Sequence, residues 1–255
     1  MKSFRDMMEP FQQYFVVAIA DTPELMRKVQ QVRYEVFCKE FQFEREEDCP
    51  GGLEHDDYDE HATHCLILHR HSGLAAGCVR LIHSGDDDKI ILPIERYCAA
   101  SLRDDNMYPS RLRHDGVCEI SRLAVSSHFR RRHGEHDSPV GASAAIPLSN
   151  GDEYRAFPLL SFALFMSVLS LAVMTRCRHS FSMMEPWLAR HLQIMGFSFE
   201  QIGAVTDYHG ARAPFHYTLE QAIADKERRP LLRELFSLID PMVEIEARRA
   251  RLVLH

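Results

Sequence analysis

Several signatures that would announce a function are missing from this 255-residue chain, and each absence removes a class. No Cys-x-x-Cys pair occurs, and the seven cysteines (38, 49, 65, 78, 98, 118 and 177) are scattered and odd in number. That usage fits reduced thiols in a cytoplasmic compartment better than a disulfide framework. The fifteen histidines include no His-Glu-x-x-His, and His133 and His136 stand three apart in a loop-like stretch, so no metal site is expected. No glycine-rich turn follows a strand pattern, and no Gly-x-Ser-x-Gly elbow is present, so a bound nucleotide cofactor and serine-hydrolase chemistry have no foothold.

Long hydrophobic runs are missing as well. The longest, 159–174, is interrupted by Ser161, Ser167 and Ser170, whereas a membrane span needs roughly 20 apolar residues. It reads as a buried core helix, with peripheral membrane contact as the alternative. The first ten residues lack the apolar core of a signal peptide. Positive charge is short too: 30 Lys and Arg against 37 Asp and Glu leave a net charge of −7, which argues against a nucleic-acid partner.

What is present suits a folded core, with 45% hydrophobic residues. An apolar run at 14–20 predicts a strand, and Asp21-Thr22-Pro23-Glu24 predicts a helix start. Leu25, Val29, Val32 and Val36 form one face of that helix, with Arg33 and Phe37 on a neighbouring stripe. Residues 44–60 are acidic and contain Pro50-Gly51-Gly52, a loop. Strands are expected at 64–70 and 75–84, turning around Ser72-Gly73, and again at 117–126. After a Ser/Gly/Pro-rich insertion at 127–157, a helix at 158–176, a strand at 179–185 and a helix at 186–195 follow. Strands at 197–203 and 214–219, and helices at 220–225 and 231–240, complete a mixed α/β (α+β) order. One domain over 1–255 is expected, its C-terminal helices within 220–255.

Four clusters place charges where burial or a cleft is predicted: Arg33-x-x-x-Phe37, Glu54-His-Asp56-Asp-Tyr58-Asp59, Gly77-Cys-Val-Arg80, and Glu119-Ile-Ser-Arg122. Buried charges cost several kcal/mol each unless paired, so these residues predict a polar site built into core elements. Arg80 alternates with Cys78 and Ile82, and the acidic loop upstream can supply its carboxylate. That loop is alternatively a solvated acidic turn or a receptor for a cationic substrate group. Arg33, Asp56, Asp59, Arg80, Glu119 and Arg122 are expected to form one network. Glu119 and Arg122 stand three apart in a strand, so they share a cleft only if that strand is bulged.

Taken in order, these clusters resemble the LuxI-type autoinducer synthases, a branch of the GNAT-like acyltransferases. The resemblance covers about residues 25–126. It implies a mostly antiparallel sheet with helices on both faces, and acyl transfer from an acyl-carrier-protein or coenzyme A thioester to a small-molecule amine. Phe43 stands where that family usually has tryptophan, and the chain is longer than a typical synthase. Both features are closer to relatives that make long-chain N-acyl amino acids, including those of PEP-CTERM/exosortase systems. They favour an amino-acid acceptor over S-adenosylmethionine, which a homoserine-lactone synthase would use. A non-catalytic acyl-binding or regulatory module is the reading from another class.

In this reading Glu119 accepts the amine proton, with Arg33 and Arg122 in the catalytic group. Phe37, Glu54, Asp56, Asp59 and Arg80 bind substrate, and backbone N–H groups near Leu123–Val125 face the oxyanion. Arg130, Arg131 and Arg132 would dock an acidic carrier protein. The helix at 158–176 would wall an acyl tunnel.

Overall fold

A computed structural model describes residues 5–84, 90–103, 105–112, 116–130 and 152–252. A helix α1 (Arg5–Tyr14) leads into strand β1 (Phe15–Ile19). Met7 and Phe11, four apart, are both buried, which is the amphipathic signal for a helix absent from the expectations. Helix α2 (Pro23–Arg33) starts as the sequence predicts: Pro23 occupies its first turn and the Thr22 side chain accepts the Leu25 N–H at 3.3 Å. It does not continue as an α-helix past Arg33. Residues Tyr34–Glu40 widen into a π-helix, with the Phe41 N–H bonded to the Val36 carbonyl. Seven residues of π-helix are too short to display a hydrophobic repeat, and such widened turns cluster at functional sites.

The acidic loop is a chain of short 3-10 turns, at Glu46–Asp48, Pro50–Gly52 and Asp57–His61. Strands β2 (Ala62–His69) and β3 (Ala75–His83) form the expected hairpin, followed by a short helix α3 (Pro93–Cys98) and strand β4 (Val117–Val125). Helix α4 (Asp152–Met174) crosses to strand β5 (His179–Met184). It begins before Pro158, so the insertion is shorter than 127–157; residues 131–151 lie outside the described part. Proline favours a first helical turn, so Pro158 signals a later start than the helix has. Helix α5 (Pro186–Met195) ends at Gly196, whose φ of +114° is left-handed.

Short strands β6 (Glu200–Gln201) and β7 (Thr206–Asp207) precede β8 (Ala211–Thr218), then helices α6 (Leu219–Arg228) and α7 (Pro230–Arg249). Most of the strand expected at 197–203 is irregular, because the Ser198 N–H and hydroxyl both bond Asp225 rather than a neighbouring strand. Helix α7 runs through Pro241, where the sequence predicts a stop, because buried Val243 and Ala247 continue its apolar face.

The strands form one sheet in the order β1-β2-β3-β4-β5-β8-β6, with β7 on β8. Every described pairing is antiparallel except β4 with β5. Residues of α1, α4 and α7 share the main core with Cys65, Ile67, Val79 and Leu81 on one face. On the other, α2 packs with Leu66, Cys78 and Ala124, and α3 packs with Ile82 and Phe181. From Leu159 to Ala172 helix α4 is apolar on every side because nearly all of that stretch is buried; Ser167 bonds back to the Ala163 carbonyl and Ser170 bonds Asp240. No described helix is long and apolar enough to cross a membrane.

Helix α4 meets the sheet at Gly77. A Cβ there would lie 2.6 Å from the Ala124 carbonyl oxygen and 2.7 Å from Leu164 Cδ1. Gly77→Ala is therefore expected to lower stability by about 1–3 kcal/mol, read from the midpoint of urea unfolding. An unchanged midpoint would mean that α4 does not press directly on β3.

Candidate active site

The site starts from a defect in strand pairing. On β3, Cys78 and Arg80 are two residues apart, yet their β4 partners Ala124 and Ser121 are three apart. Strand β4 therefore carries one extra residue, and Arg122 has a left-handed φ of +53°. An ideal pleat would send Arg122 away from Ser121. The bulge instead returns it to the face that carries Arg80, whose Nε donates to Ser121 Oγ at 3.1 Å.

On that face three guanidiniums meet four carboxylates. Arg33, fully buried, donates Nε to Glu54 and Nη1 to Asp59 at 2.7 Å. Arg80 bonds Asp56, and Asp59 at 2.7 Å. Arg122 reaches Glu54 at 3.3 Å, and Glu44 and Asp56 at 3.2 Å each. The acidic loop is pre-shaped for this: Asp56 accepts the Tyr58 N–H and Asp59 the Asp56 N–H, a reciprocal cap on the 3-10 turn. Tyr58 then lies under the Arg80 guanidinium, 5.9 Å from its ring centre. Burial alone would raise the Asp59 pKa, but Arg33 and Arg80 outweigh it and hold the group at about 2. Asp56 is lowered in the same way against its burial, chiefly by Arg80. Burial also keeps His64, 3.5 Å from Asp59, at about 4 and so neutral near pH 7.

Glu119 stands outside this network. Its carboxylate makes no ion pair among the described residues; Oε2 accepts the Ile94 N–H of α3 at 2.8 Å. Burial pushes its pKa up to about 8, and the Ile94 N–H, Arg80 and Arg122 only partly oppose this.

Beside Glu119 the sheet opens. Strands β4 and β5 pair only from Val117/His179 to Glu119/Phe181, and beyond that point they diverge. The gap is a cleft that encloses about 940 Å³ when the space open to solvent is counted, lined by Glu119–Leu123 on one side and Ser182–Glu185 on the other. Phe37, Phe43, Phe165 and Leu188 give it apolar walls, and Arg80, Arg122, Tyr208 and Arg212 also line it.

Residues 32–136 match the acetyltransferase (GNAT) domain family. The fold superposes on TofI, solved with an inhibitor and MTA, with a TM-score of 0.58 at 16% identity, over 85% of this chain and 99% of that one. This is a GNAT-like acyltransferase fold. FeeM, an N-acyl amino acid synthase from uncultured soil microbes, matches with a TM-score of 0.55 at 16% identity, over 86% of this chain and 96% of that one. BjaI, a CoA-dependent acyl-homoserine lactone synthase with SAM and isopentyl-CoA, gives 0.55 at 18% identity, over 94% of this chain and 100% of that one. No curated protein matches the sequence.

Within this GNAT-like fold, the residues expected at the site divide into three groups. Arg33, Asp56, Asp59, Arg80 and Arg122 do form one network, which Glu54 joins and from which Glu119 must be removed. Phe37, Arg80, Glu119, Arg122 and Leu123 line the cleft, whereas Glu54, Asp56 and Asp59 do not and instead back the arginines that do. Val125 and Arg130 belong to neither. Val125 is a buried core residue whose carbonyl accepts Arg130 Nε at 2.7 Å. Arg130 is itself buried, paired with Glu40 and packed over Phe41, so it offers no exposed charge to a carrier protein. Arg131 and Arg132 lie outside the described residues. The expected acyl wall also shifts: among the described residues of α4 only Phe165 reaches the cleft. Glu44, Ser121, Tyr208, His209 and Arg212 were missed. Arg212 carried the same signal as Arg80, a cation inside an apolar strand pattern.

Breaking the network from its centre is the direct test of its role. Arg33→Met leaves Glu54 and Asp59 short of a partner and is expected to cost about 3–5 kcal/mol in urea unfolding. The lowered Asp56 and Asp59 pKa values add stability that is complete above their unfolded value of 3.8 and is lost as the pH falls toward about 2. Asp59→Asn should flatten that acid limb; an acid limb identical to the wild type's would show that the ion pairs are not formed in solution.

Proposed function

We propose that the chain is an N-acyltransferase, moving a fatty acyl group from a pantetheine thioester to the amine of an amino acid. The observation that carries this reading is the cleft between the parting strands β4 and β5, which joins the unpaired Glu119 to apolar walls. An extended thioester arm fits such a gap, with its acyl chain against Phe37, Phe43, Phe165 and Leu188. The amine nitrogen attacks the thioester carbonyl, Glu119 takes the ammonium or amine proton, the C–S bond breaks, and the thiolate leaves as a protonated thiol. The Ile94 N–H orients one oxygen of Glu119 and leaves the other for the proton. At the β4 bulge the extra residue falls out of the ladder, which suits the Arg122–Leu123 backbone to the developing oxyanion. Arg33 and Arg122 position this machinery, with Asp56, Asp59 and Arg80 locking them. The reading agrees with what FeeM makes, and BjaI, bound to isopentyl-CoA, shows a related fold that takes a CoA donor.

The test supplies the purified protein with medium- and long-chain acyl groups on acyl carrier protein or on coenzyme A. Each donor is offered with amino acids or with S-adenosylmethionine, and products are read by mass spectrometry and thiol release. N-acyl amino acids are expected. An acyl lactone would transfer the reading to homoserine-lactone synthesis, and no acylated product from any pair would leave an acyl-binding module.

Glu119 gives a pH signature. The rate of acyl transfer should rise with pH and level off above about 8, where the carboxyl is ionised. Glu119→Gln should lower the rate about 10²- to 10⁴-fold and abolish that rise while still folding. Because the folded pKa is raised from 4.5 to about 8, the wild type loses stability relative to Gln across that window, by ~1.4 kcal/mol per pH unit. A Gln variant with wild-type activity would remove Glu119 from the reaction.

A further inference from the structure

The charges that line the cleft are unequally occupied. Arg80 and Arg122 are spent on the acidic loop. Arg212, on β8, has no carboxylate within ion-pair distance among the described residues, and its buried Nε has no hydrogen-bond partner. The Phe43 ring, 5.6 Å from the guanidinium carbon, holds it in place without neutralising it. Burial lowers the pKa of Arg212, so an anion arriving there meets a poorly solvated cation. Across the same cleft, Glu119 is the buried carboxyl without an ion pair. One unpaired acid and one unpaired guanidinium therefore face a shared space in which the other arginines are already matched.

We propose that Arg212 receives the carboxylate of an α-amino acid moiety whose amine faces Glu119. This inference rests on the acyl-transfer reading above and names the feature of the acceptor that the site selects. A zwitterion fits the pair of unmatched charges, whereas a phosphate dianion would also have to sit among Glu44, Glu119 and Glu185 in the same cleft. Guanidinium and carboxylate are matched in shape as well as charge, since two parallel N–H donors meet two oxygens. A free amino acid and the methionyl end of S-adenosylmethionine share this chemistry, so both belong in the test.

The full-length wild type, Arg212→Gln and Arg212→Lys are compared by thermal unfolding. The probes are the proteinogenic L-amino acids singly, S-adenosylmethionine, and the decarboxylated amine of each. At least one carboxylate-bearing probe should raise the wild-type midpoint, its amine should not, and Arg212→Gln should lose the shift while Arg212→Lys keeps part of it. With a probe that is acylated, Arg212→Gln should raise KM about 10- to 100-fold with a smaller change in kcat. A shift retained in Arg212→Gln, an equal shift from the amine, or no shift with any carboxylate probe overturns the proposal. Acyl transfer that ignores the carboxylate would overturn it and leave the transferase reading standing. Carboxylate-dependent binding without acyl transfer would do the reverse.

Discussion

The meeting of Arg33, Arg80 and Arg122 with Glu44, Glu54, Asp56 and Asp59, buried at its Arg33–Arg80–Glu54 centre and half-buried at its edge, is the constraint on which the site depends. Taking a guanidinium out of water costs several kcal/mol, while one ion pair at 4 Å and an effective dielectric of 20 returns roughly 4 kcal/mol. A single pair would barely balance. Arg33, Arg80 and Arg122 each engage at least two carboxylates, and this multiplicity is what lets the charges stay inside. The network also ties four separate pieces of chain together: the end of α2, the acidic loop, β3 and the bulge in β4. A left-handed φ at a residue such as Arg122 costs on the order of 1–3 kcal/mol, and its three carboxylate contacts offset that strain.

Around this fixed frame, equal chemical groups acquire opposite behaviour. Asp59 is buried among arginines and held near 2, whereas Glu119 is buried beside a lone backbone N–H and pushed up to about 8. The first is a structural anion at every physiological pH. The second exchanges its proton in the range where an enzyme works. Environment separates their roles, as it does wherever neighbouring carboxyls are asked to do different things.

Much of the fold was legible because hydrophobic period and turn chemistry agree in most segments. The cap at Thr22–Pro23, the hairpin at Ser72-Gly73 and the left-handed close of α5 at Gly196 all formed where their residues favour them. Misreadings followed from local signals that packing overrode. Pro158 and Pro241 looked like boundaries, yet α4 and α7 run through both. The π-helix after Arg33 carries no signal, since its seven residues are too few for a pattern to repeat at that spacing. Arg130 looked like part of a basic surface patch, but Glu40 and the Val125 carbonyl draw it inside.

By itself the sequence determined which residues carry charge within apolar elements, because alternation in a strand and spacing along a helix are properties of short segments. It thereby determined most members of the network, and the condition of a bulge that Glu119 and Arg122 needed to share a cleft. Only the tertiary structure decided who pairs with whom. The parting of β4 from β5, the isolation of Glu119 and the unmatched guanidinium of Arg212 all depend on contacts between residues tens of positions apart. Desolvation and pairing are set by the whole surroundings of a group, and no short segment contains them.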